Sequence, residues 1–376
     1  PALEEASRSL GYGPVKTFFR VTLPLLKPAI ASGALLVALY TLSEFGAVSL
    51  LQYETFTWAI YVQYNFAFDR QAASSLALVL TVIALLVVWM ERRSRSRGRY
   101  YRSSAGTARP YPRVALRRWR WPAFAFVATP LFLGLVAPVG FLVYWLAEGL
   151  AQGRAMDVVW TSTVNSFSIA GIAGVVAVLV AAPVAVMAVR FPGKLSALAE
   201  QSTYLGFALP GIVVALAIVF LGVNFLPAIY QTRTLLVAAY VLLFLPVAVG
   251  ALRTLLLQVS PHLEEVARSL GATQGRAMLR ITLPLVLPGA LAGGAMAFLL
   301  TMKELPATLI LRPAGFDTLA TSIWSAVSEA FFTRGAAAAL LLILVAGPPT
   351  AYLVLQEHWG SKRRGPSLAH DEELIQ

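Results

Sequence analysis

The amino-acid sequence predicts an all-α, polytopic membrane bundle built from two homologous, parallel halves. Three observations carry that expectation. The 376 residues are 58% hydrophobic and only 13% charged, with a mean hydropathy of +0.72; soluble domains carry ~25% charged residues. Eight apolar stretches, each near the ~20 residues that cross a hydrocarbon core, are separated by polar segments. One stretch occurs twice without a gap, at an offset of 264 − 4 = 260 residues, and residues 1–28 and 261–288 are identical at 14 of 28 paired positions. A long-range match of that quality signals internal duplication.

The duplicated stretch has the same local physics in both copies. Glu4, Glu5, Ala6 and Gly11 precede Leu23-Pro24, and Glu264, Glu265, Ala267 and Gly271 precede Leu283-Pro284. In the second copy Ser260 is placed to cap a helix that begins at Pro261. The two glutamates fall near its positive N-terminal end. Leu263, Val266, Ala267 and Leu270 recur at helical spacing and form one apolar face. Gly271 stops the helix. A second short helix is predicted over roughly 272–283, and a long apolar run follows.

Taken in order, the predicted spans are 29–52, 71–90, 122–147, 160–189, 198–222, 233–257, 286–311 and 335–356. Residues 53–70 are aromatic and polar, as in a loop at a membrane interface. Residues 91–121 hold eleven arginines against one acid, Glu91; with Pro110 and Pro112 this segment reads as a linker rather than a folded domain. The expected organisation is therefore 1–90 as the end of a first half, 91–121 as linker, 122–360 as a second half of six spans, and 361–376 as a tail. The halves are unequal, so the sequence is expected to be an N-terminally truncated piece of a fused two-half protein. Glycines and prolines within or beside the spans provide close helix approach and kinks.

Topology follows from the arginines. The net charge of +12 comes largely from basic membrane flanks, and cytoplasmic loops collect Lys and Arg. With the linker in the cytoplasm, the span count puts both repeated stretches, Arg190, Lys194 and the C-terminal tail there too. The basic linker is expected to touch anionic lipid, and nucleic acid is not an expected partner.

Glu44 and Glu304 are expected inside the spans 29–52 and 286–311, at paired positions again 260 apart. An intramembrane carboxylate is expensive unless it faces a bundle interior or a water-filled cavity. Both, with Lys303, are therefore candidates for a translocation path, the other reading being a structural bond to Lys303 or a backbone donor. Further on, Thr57 and Ala59 resemble Thr318 and Ala320, and Arg70-Gln71-Ala72-Ala73 resembles Arg334-Gly335-Ala336-Ala337.

The chain has no cysteine and three scattered histidines, so thiolate chemistry and a histidine-clustered metal site are excluded. It has no Gly-x-x-x-x-Gly-Lys-Ser/Thr loop, no set of residues for nucleophilic catalysis stands out, and its polar loops are too short to build a catalytic domain. It is not expected to be an enzyme.

The repeated pattern of Glu5-Ala6-Ser7, Gly11, Val21 and Leu23-Pro24, and of Glu265-Val266-Ala267, Gly271, Ile281 and Leu283-Pro284, resembles the cytoplasmic coupling loop of ABC importer permeases. The run from Met302 through Pro313, with Phe316-Asp317-Thr318-Leu319-Ala320, is similar to the fused ferric-iron importer permeases. Leu209-Pro210-Gly211-Ile212-Val213 is similar too, but recurs across related families. The resemblance implies the type I permease fold, a multi-pass place in the bacterial plasma (inner) membrane, a homodimeric ATP-binding subunit docked on the coupling loops, and an external substrate-binding protein. It implies that Glu5 and Glu265 help fix the coupling helices, that no cofactor is bound directly, and that partner subunits use the ATP. Thiamine, phosphonate, sulfate and polyamine permeases share the scaffold and stay open as alternatives. An ion-coupled secondary transporter is the alternative from another class; inverted repeats would favour it, whereas these repeats are parallel.

Overall fold

The computed structural model describes residues 2–95, 116–153 and 157–362, and every regular element among them is helical. Most of the arginine-rich linker and the tail from residue 363 lie outside the described residues. The described chain forms two compact units, residues 1–140 with 208–213, and residues 141–207 with 214–376.

In the first unit α1 (Ala2–Ser9), α2 (Pro14–Thr17) and a π turn (Phe18–Thr22) lead into α3 (Leu23–Ser43). Then come α4 (Gly46–Leu50), α5 (Phe56–Asn65), α6 (Arg70–Arg95), α7 (Arg120–Leu131) and the start of α8 (Ala137–Ala151). Helices α3, α5 and α6 pack on one another. The aromatic residues expected at an interface form a cluster, with buried Phe45 against Trp58 and Tyr61, and Phe66 edge-on to Tyr61.

The second unit contains α9 (Asp157–Arg190), α10 (Lys194–Ala208), most of α11 (Gly211–Phe225) and α12 (Arg233–Leu256). The repeated stretch follows as α13 (Pro261–Ser269), α14 (Gln274–Ala277) and a π turn (Met278–Thr282). The unit ends with α15 (Leu283–Met302), α16 (Pro306–Leu311), α17 (Leu319–Ser328) and α18 (Phe332–Lys362). Its core is the three-way packing of α9, α12 and α15. From its repeated stretch onward, each unit runs through the same series: two short helices, a π turn, a long helix, a break, a short helix, a helix of 10 residues and a long helix.

Small residues make the core contacts, because lipid gives apolar helices no hydrophobic reason to associate and close backbone approach must supply the attraction. On α9 the buried Ala170, Ala173, Ala177, Ala181 and Ala185 form a seam. A Cβ at Gly174 would lie 2.9 Å from the Gly294 carbonyl oxygen on α15, and one at Gly206 would lie 2.5 Å from the Leu242 carbonyl oxygen on α12. These glycines are needed for the space they leave.

Among the described residues six helices are long and apolar enough to span a membrane, or seven counting the pair Pro14–Lys27 and Ala29–Ser43, bent by 51°. The sequence predicts eight. The missing one is 198–222, which is interrupted at Leu209-Pro210 into α10 and α11, of 15 residues each. Pro210 cannot donate a helical hydrogen bond, and the residue before it is pushed away from helical geometry. Spans 29–52 and 286–311 are likewise broken, at Glu44 and at Lys303-Glu304-Leu305. The Leu-Pro pairs at 23–24 and 283–284, expected to separate short helices from spans, do not interrupt the backbone. Each proline lacks the N–H of its helical turn, and the π turn just before it lets the helix run on.

Gly174→Leu is expected to abolish folding or lower the midpoint of thermal unfolding in detergent sharply. Gly171→Leu on the same helix, where a Cβ meets nothing within 4 Å, is expected to leave the midpoint nearly unchanged.

Candidate functional site

The two repeated stretches have the same internal geometry, each within its own unit. α1 and α13 end in a left-handed glycine, Gly11 at φ +81° and Gly271 at φ +88°. The closing bonds match too: Tyr12 N–H donates to the Ser7 carbonyl and Gly11 N–H to Arg8, as Ala272 N–H does to Ala267 and Gly271 N–H to Arg268. This paired 6→1 and 5→2 closure requires positive φ at the glycine, which a side chain would strain. Ser260 caps α13 by accepting from the His262 N–H at 3.4 Å, as the sequence predicts.

The resemblance had pointed to Glu5 and Glu265 as the braces of these helices. Within each unit the observed tie is made by the neighbouring acids, Glu4 and Glu264, which belong to the same predicted set. Glu4 Oε1 accepts a 2.7 Å bond from the Thr22 hydroxyl, and Glu264 Oε1 accepts a 2.7 Å bond from Thr282. Each ties the first turn of the short helix to the π turn eighteen residues on. The physical reason is helical phase: consecutive residues are ~100° apart, so when Glu4 and Glu264 face their own unit, Glu5 and Glu265 face outward. Both are exposed, and Glu265 pairs with exposed His262 at 2.8 Å. Arg190, at the end of α9, adds a salt bridge to Glu264 at 3.0 Å. Thr22, Thr282 and the structural role of Arg190 escaped the reading of the sequence. The threonines carried a usable signal, since they are identical in both copies at the same spacing from the bracing glutamate.

Of the other predicted residues, Ala6 is exposed and Ala267 half-buried, while Leu23-Pro24 and Leu283-Pro284 form the first turns of α3 and α15. The predicted apolar face is not covered: Leu263, Val266 and Leu270 are 45%, 58% and 84% exposed, and Leu3 and Leu10 in the first copy are 61% and 76% exposed.

Glu44 and Glu304 stand at breaks between helices, not inside continuous ones. Each is half-buried and turns its carboxylate onto the next short helix: Glu44 Oε1 accepts from the Ala47 N–H at 3.0 Å, and Glu304 Oε1 from the Ala307 N–H at 3.3 Å. Of the two readings the sequence left open, the backbone-donor bond is therefore present. The main-chain carbonyls of the two glutamates also take hydroxyl donors, Thr57 for Glu44 at 2.7 Å and Thr308 for Glu304, and Thr308 bonds to buried Tyr240 at 2.7 Å. Lys303 caps the end of α15 and is exposed. The helix caps correct one alignment: α5 is capped by Thr55 and α17 by Thr318, so Thr318 corresponds to Thr55 and not to Thr57. Among the described residues no group of three His, Asp or Glu is placed to hold a metal ion.

Comparison with known proteins agrees with this architecture. Residues 1–99 and 175–347 match the family described as binding-protein-dependent transport system inner membrane component. The chain belongs to that family, the multi-pass helical permease subunits of ABC importers. It is 38% identical to Fe(3+)-transport system permease protein FbpB 2 of Haemophilus influenzae, over 94% of this chain and 70% of that protein. It is 26% identical to ferric transport system permease protein FbpB of Actinobacillus pleuropneumoniae, over 92% of this chain and 53% of that protein. It is also 26% identical, over 61% of this chain and 83% of the relative, to a Salmonella typhimurium permease protein, PhnV, named for a 2-aminoethylphosphonate transport system. The chain thus spans 70% of the first ferric relative and about half of the second.

The two copies also supply a natural double substitution. Buried Ser7 and Thr17 share a 3.0 Å hydroxyl bond in the first copy, where the second has Ala267 and Ala277. Removing one partner leaves a buried hydroxyl unsatisfied, whereas removing both is nearly neutral. Thr17→Ala is expected to cost about 1–3 kcal/mol of stability. Ser7→Ala together with Thr17→Ala should recover most of that, as read by a double-mutant cycle of thermal unfolding.

Proposed function

We propose that this chain is part of the membrane subunit of an ATP-driven importer that carries ferric iron, delivered by an external binding protein, into the cytoplasm. The observation that carries the reading is the pair of helix–glycine–helix stretches, each braced by a glutamate–threonine bond and each presenting uncovered leucines. An exposed apolar face on a rigidly held helix suits a partner protein. The 38% identical ferric relative supports iron as the cargo.

On this reading both stretches, the linker and the C-terminal tail are cytoplasmic, and a homodimeric ATP-binding subunit docks one copy on each stretch. ATP-driven closure of that dimer moves the stretches and opens the path outward; hydrolysis resets it. The chain holds no cofactor of its own, and its partners consume the ATP. Ferric iron prefers hard oxygen ligands, and the two carboxylates at the helix breaks offer passing contacts rather than a tight site. High-affinity capture then belongs to the binding protein, and the chain provides a route.

Three measurements test this. The intact protein is expected to co-purify with a P-loop ATPase, and Leu270→Asp, at the exposed tip of α13, to abolish that association. Gly271→Val is expected to lower import per ATP hydrolysed at least tenfold, since a β-branched residue resists φ near +88°. Labelled-iron uptake is expected in reconstituted vesicles, with thiamine and 2-aminoethylphosphonate as negative controls; uptake of either control instead would overturn the iron assignment. Glu304→Gln separates the two roles of that residue, because its amide oxygen can still accept from Ala307 while the charge is gone. A large fall in uptake with unchanged thermal stability is the result expected of a residue on the path.

A further inference from the structure

One cation in the second unit is held in a way that its membrane-flank role does not need. Arg190 is the last residue of α9, and its side chain is 12% exposed. Nε donates to Glu264 Oε1 at 3.2 Å, and Nη2 lies 3.0 Å from the same carboxylate oxygen in a salt bridge. Nη2 also donates to the Val259 carbonyl at 3.1 Å. Val259 immediately precedes Ser260, the cap of α13. The guanidinium therefore grips α13 at two points, the backbone leading into it and the acid in its first turn. Glu264 Oε1 receives the Thr282 hydroxyl as well, so one oxygen joins α9, α13 and the π turn that leads into α15. A topology-setting arginine would keep its head in water or among lipid headgroups.

The opposite end of α9 is tied just as firmly. The Ser162 and Ser322 hydroxyls are 2.7 Å apart. Ser166 Oγ accepts from the Leu319 N–H at 2.6 Å, and Asn165 Nδ2 donates to the Asp317 carbonyl at 3.0 Å. These bonds hold the start of α17, whose cap is Thr318. From Asn165 to Arg190 the helix runs 25 residues, ~38 Å at 1.5 Å per residue. Its alanine seam from Ala170 to Ala185 and the Gly174–Gly294 approach pack it on both sides of Pro183, the one proline inside the helix.

We propose that Arg190 is a positioning residue for transport: it makes α9 a strut that carries displacement of α13 to the segment around Asp317–Ser322 at the far end. The proposal rests on the permease reading above and goes beyond it by naming the element that relays the motion. Coupling of this kind needs a contiguous chain of rigid parts with a definite attachment at each end, and α9 has both. The bond set also predicts a difference between Arg and Lys. A lysine at 190 could reach Glu264 as a point charge, but it lacks the planar fork that serves carboxylate and carbonyl together.

The test uses the intact permease reconstituted with its ATP-binding subunits and binding protein. Substrate imported per ATP hydrolysed is read for wild type, Arg190→Ala, Arg190→Lys and Arg190→Ala/Glu264→Ala. A reporter is added as Phe331→Cys, beyond α17, where the side chain is 52% exposed and the 376 residues hold no native cysteine. Its rate of labelling by a membrane-impermeant maleimide is followed with and without ATP. We expect Arg190→Ala to import at least fivefold less per ATP and to lose the ATP-dependent change in labelling. Arg190→Lys should fall between, and the double variant, which also loses the Glu264–Thr282 bond, should be at least as impaired as Arg190→Ala. A merely structural role would lower the amount of folded protein without changing import per ATP or the labelling response, and that outcome overturns the proposal. If Arg190→Ala fails to fold, Arg190→Lys decides by the same two readouts. A wild type that hydrolyses no ATP with its partners and imports nothing overturns the permease reading and this proposal with it. A working wild type beside normally coupled Arg190 variants overturns this proposal alone.

Discussion

A single hydrogen bond, made once in each unit, sets what the repeated stretch can do. A carboxylate in the first turn of a short helix accepts a hydroxyl from the π turn eighteen residues later, through Glu4 and Thr22 in one copy and Glu264 and Thr282 in the other. That bond spans the glycine turn in both copies, beside the Ser7–Thr17 bond in the first and the Arg190 contacts in the second. A helix of eight or nine residues has little stability alone, and a charge-assisted bond is worth about twice a neutral one. The brace turns a marginal helix into a rigid projection of the long helix behind it.

The same economy governs the breaks. A backbone interrupted within a bilayer exposes N–H and C=O groups that water cannot satisfy, so they must be paired inside the protein. At both breaks a glutamate serves twice, its side chain capping the next helix and its carbonyl accepting a hydroxyl. The carbonyl is satisfied differently in the two units. Thr308 lies four residues beyond Glu304, but the paired position in the first unit is Val48, and there Thr57 on α5 reaches the Glu44 carbonyl. The requirement is shared and the donor is not, as expected when the constraint acts on a backbone group rather than on a particular side chain.

Much of this was legible beforehand because it depends on local physics. Ser260 as a cap, Gly11 and Gly271 as helix stops and the run of apolar spans follow from residue type and spacing. The breaks were less legible. A hydropathy window over 198–222 or 286–311 averages across Pro210 or Pro306 and sees one span, although each proline removes a donor and each chain interrupts beside it. The choice between Glu4 and Glu5 was hidden for another reason. Two adjacent acids in a first turn are equivalent toward the helix dipole, and only the direction of the neighbouring turn separates them. Arg190 was readable as a membrane-flank charge, whereas its bond to Glu264 spans 74 residues and depends on how α9 and α13 meet.

Comparison of the two copies separates what is required from what is incidental. Features present in both are backbone conformations and the groups that satisfy them: the left-handed glycine, the 6→1 closure, the bracing acid and its hydroxyl, the π turn before Leu-Pro, and the capping glutamate at the break. Features that differ are alternative solutions of equal merit, such as a hydroxyl pair at Ser7 and Thr17 against alanines at 267 and 277. A gene duplicated and then free to drift loses whichever contacts merely fill space, because hydrophobic and small substitutions there cost little when made together. It keeps those whose loss strands a polar group or changes the path of the chain. The retained set converges on two places, the projecting short helix and the carboxylate at the helix break, at opposite ends of the same long helix. Each place is kept by a physical need of its own, the brace by a short helix that is marginal alone and the capping glutamate by the backbone groups left unpaired at the break.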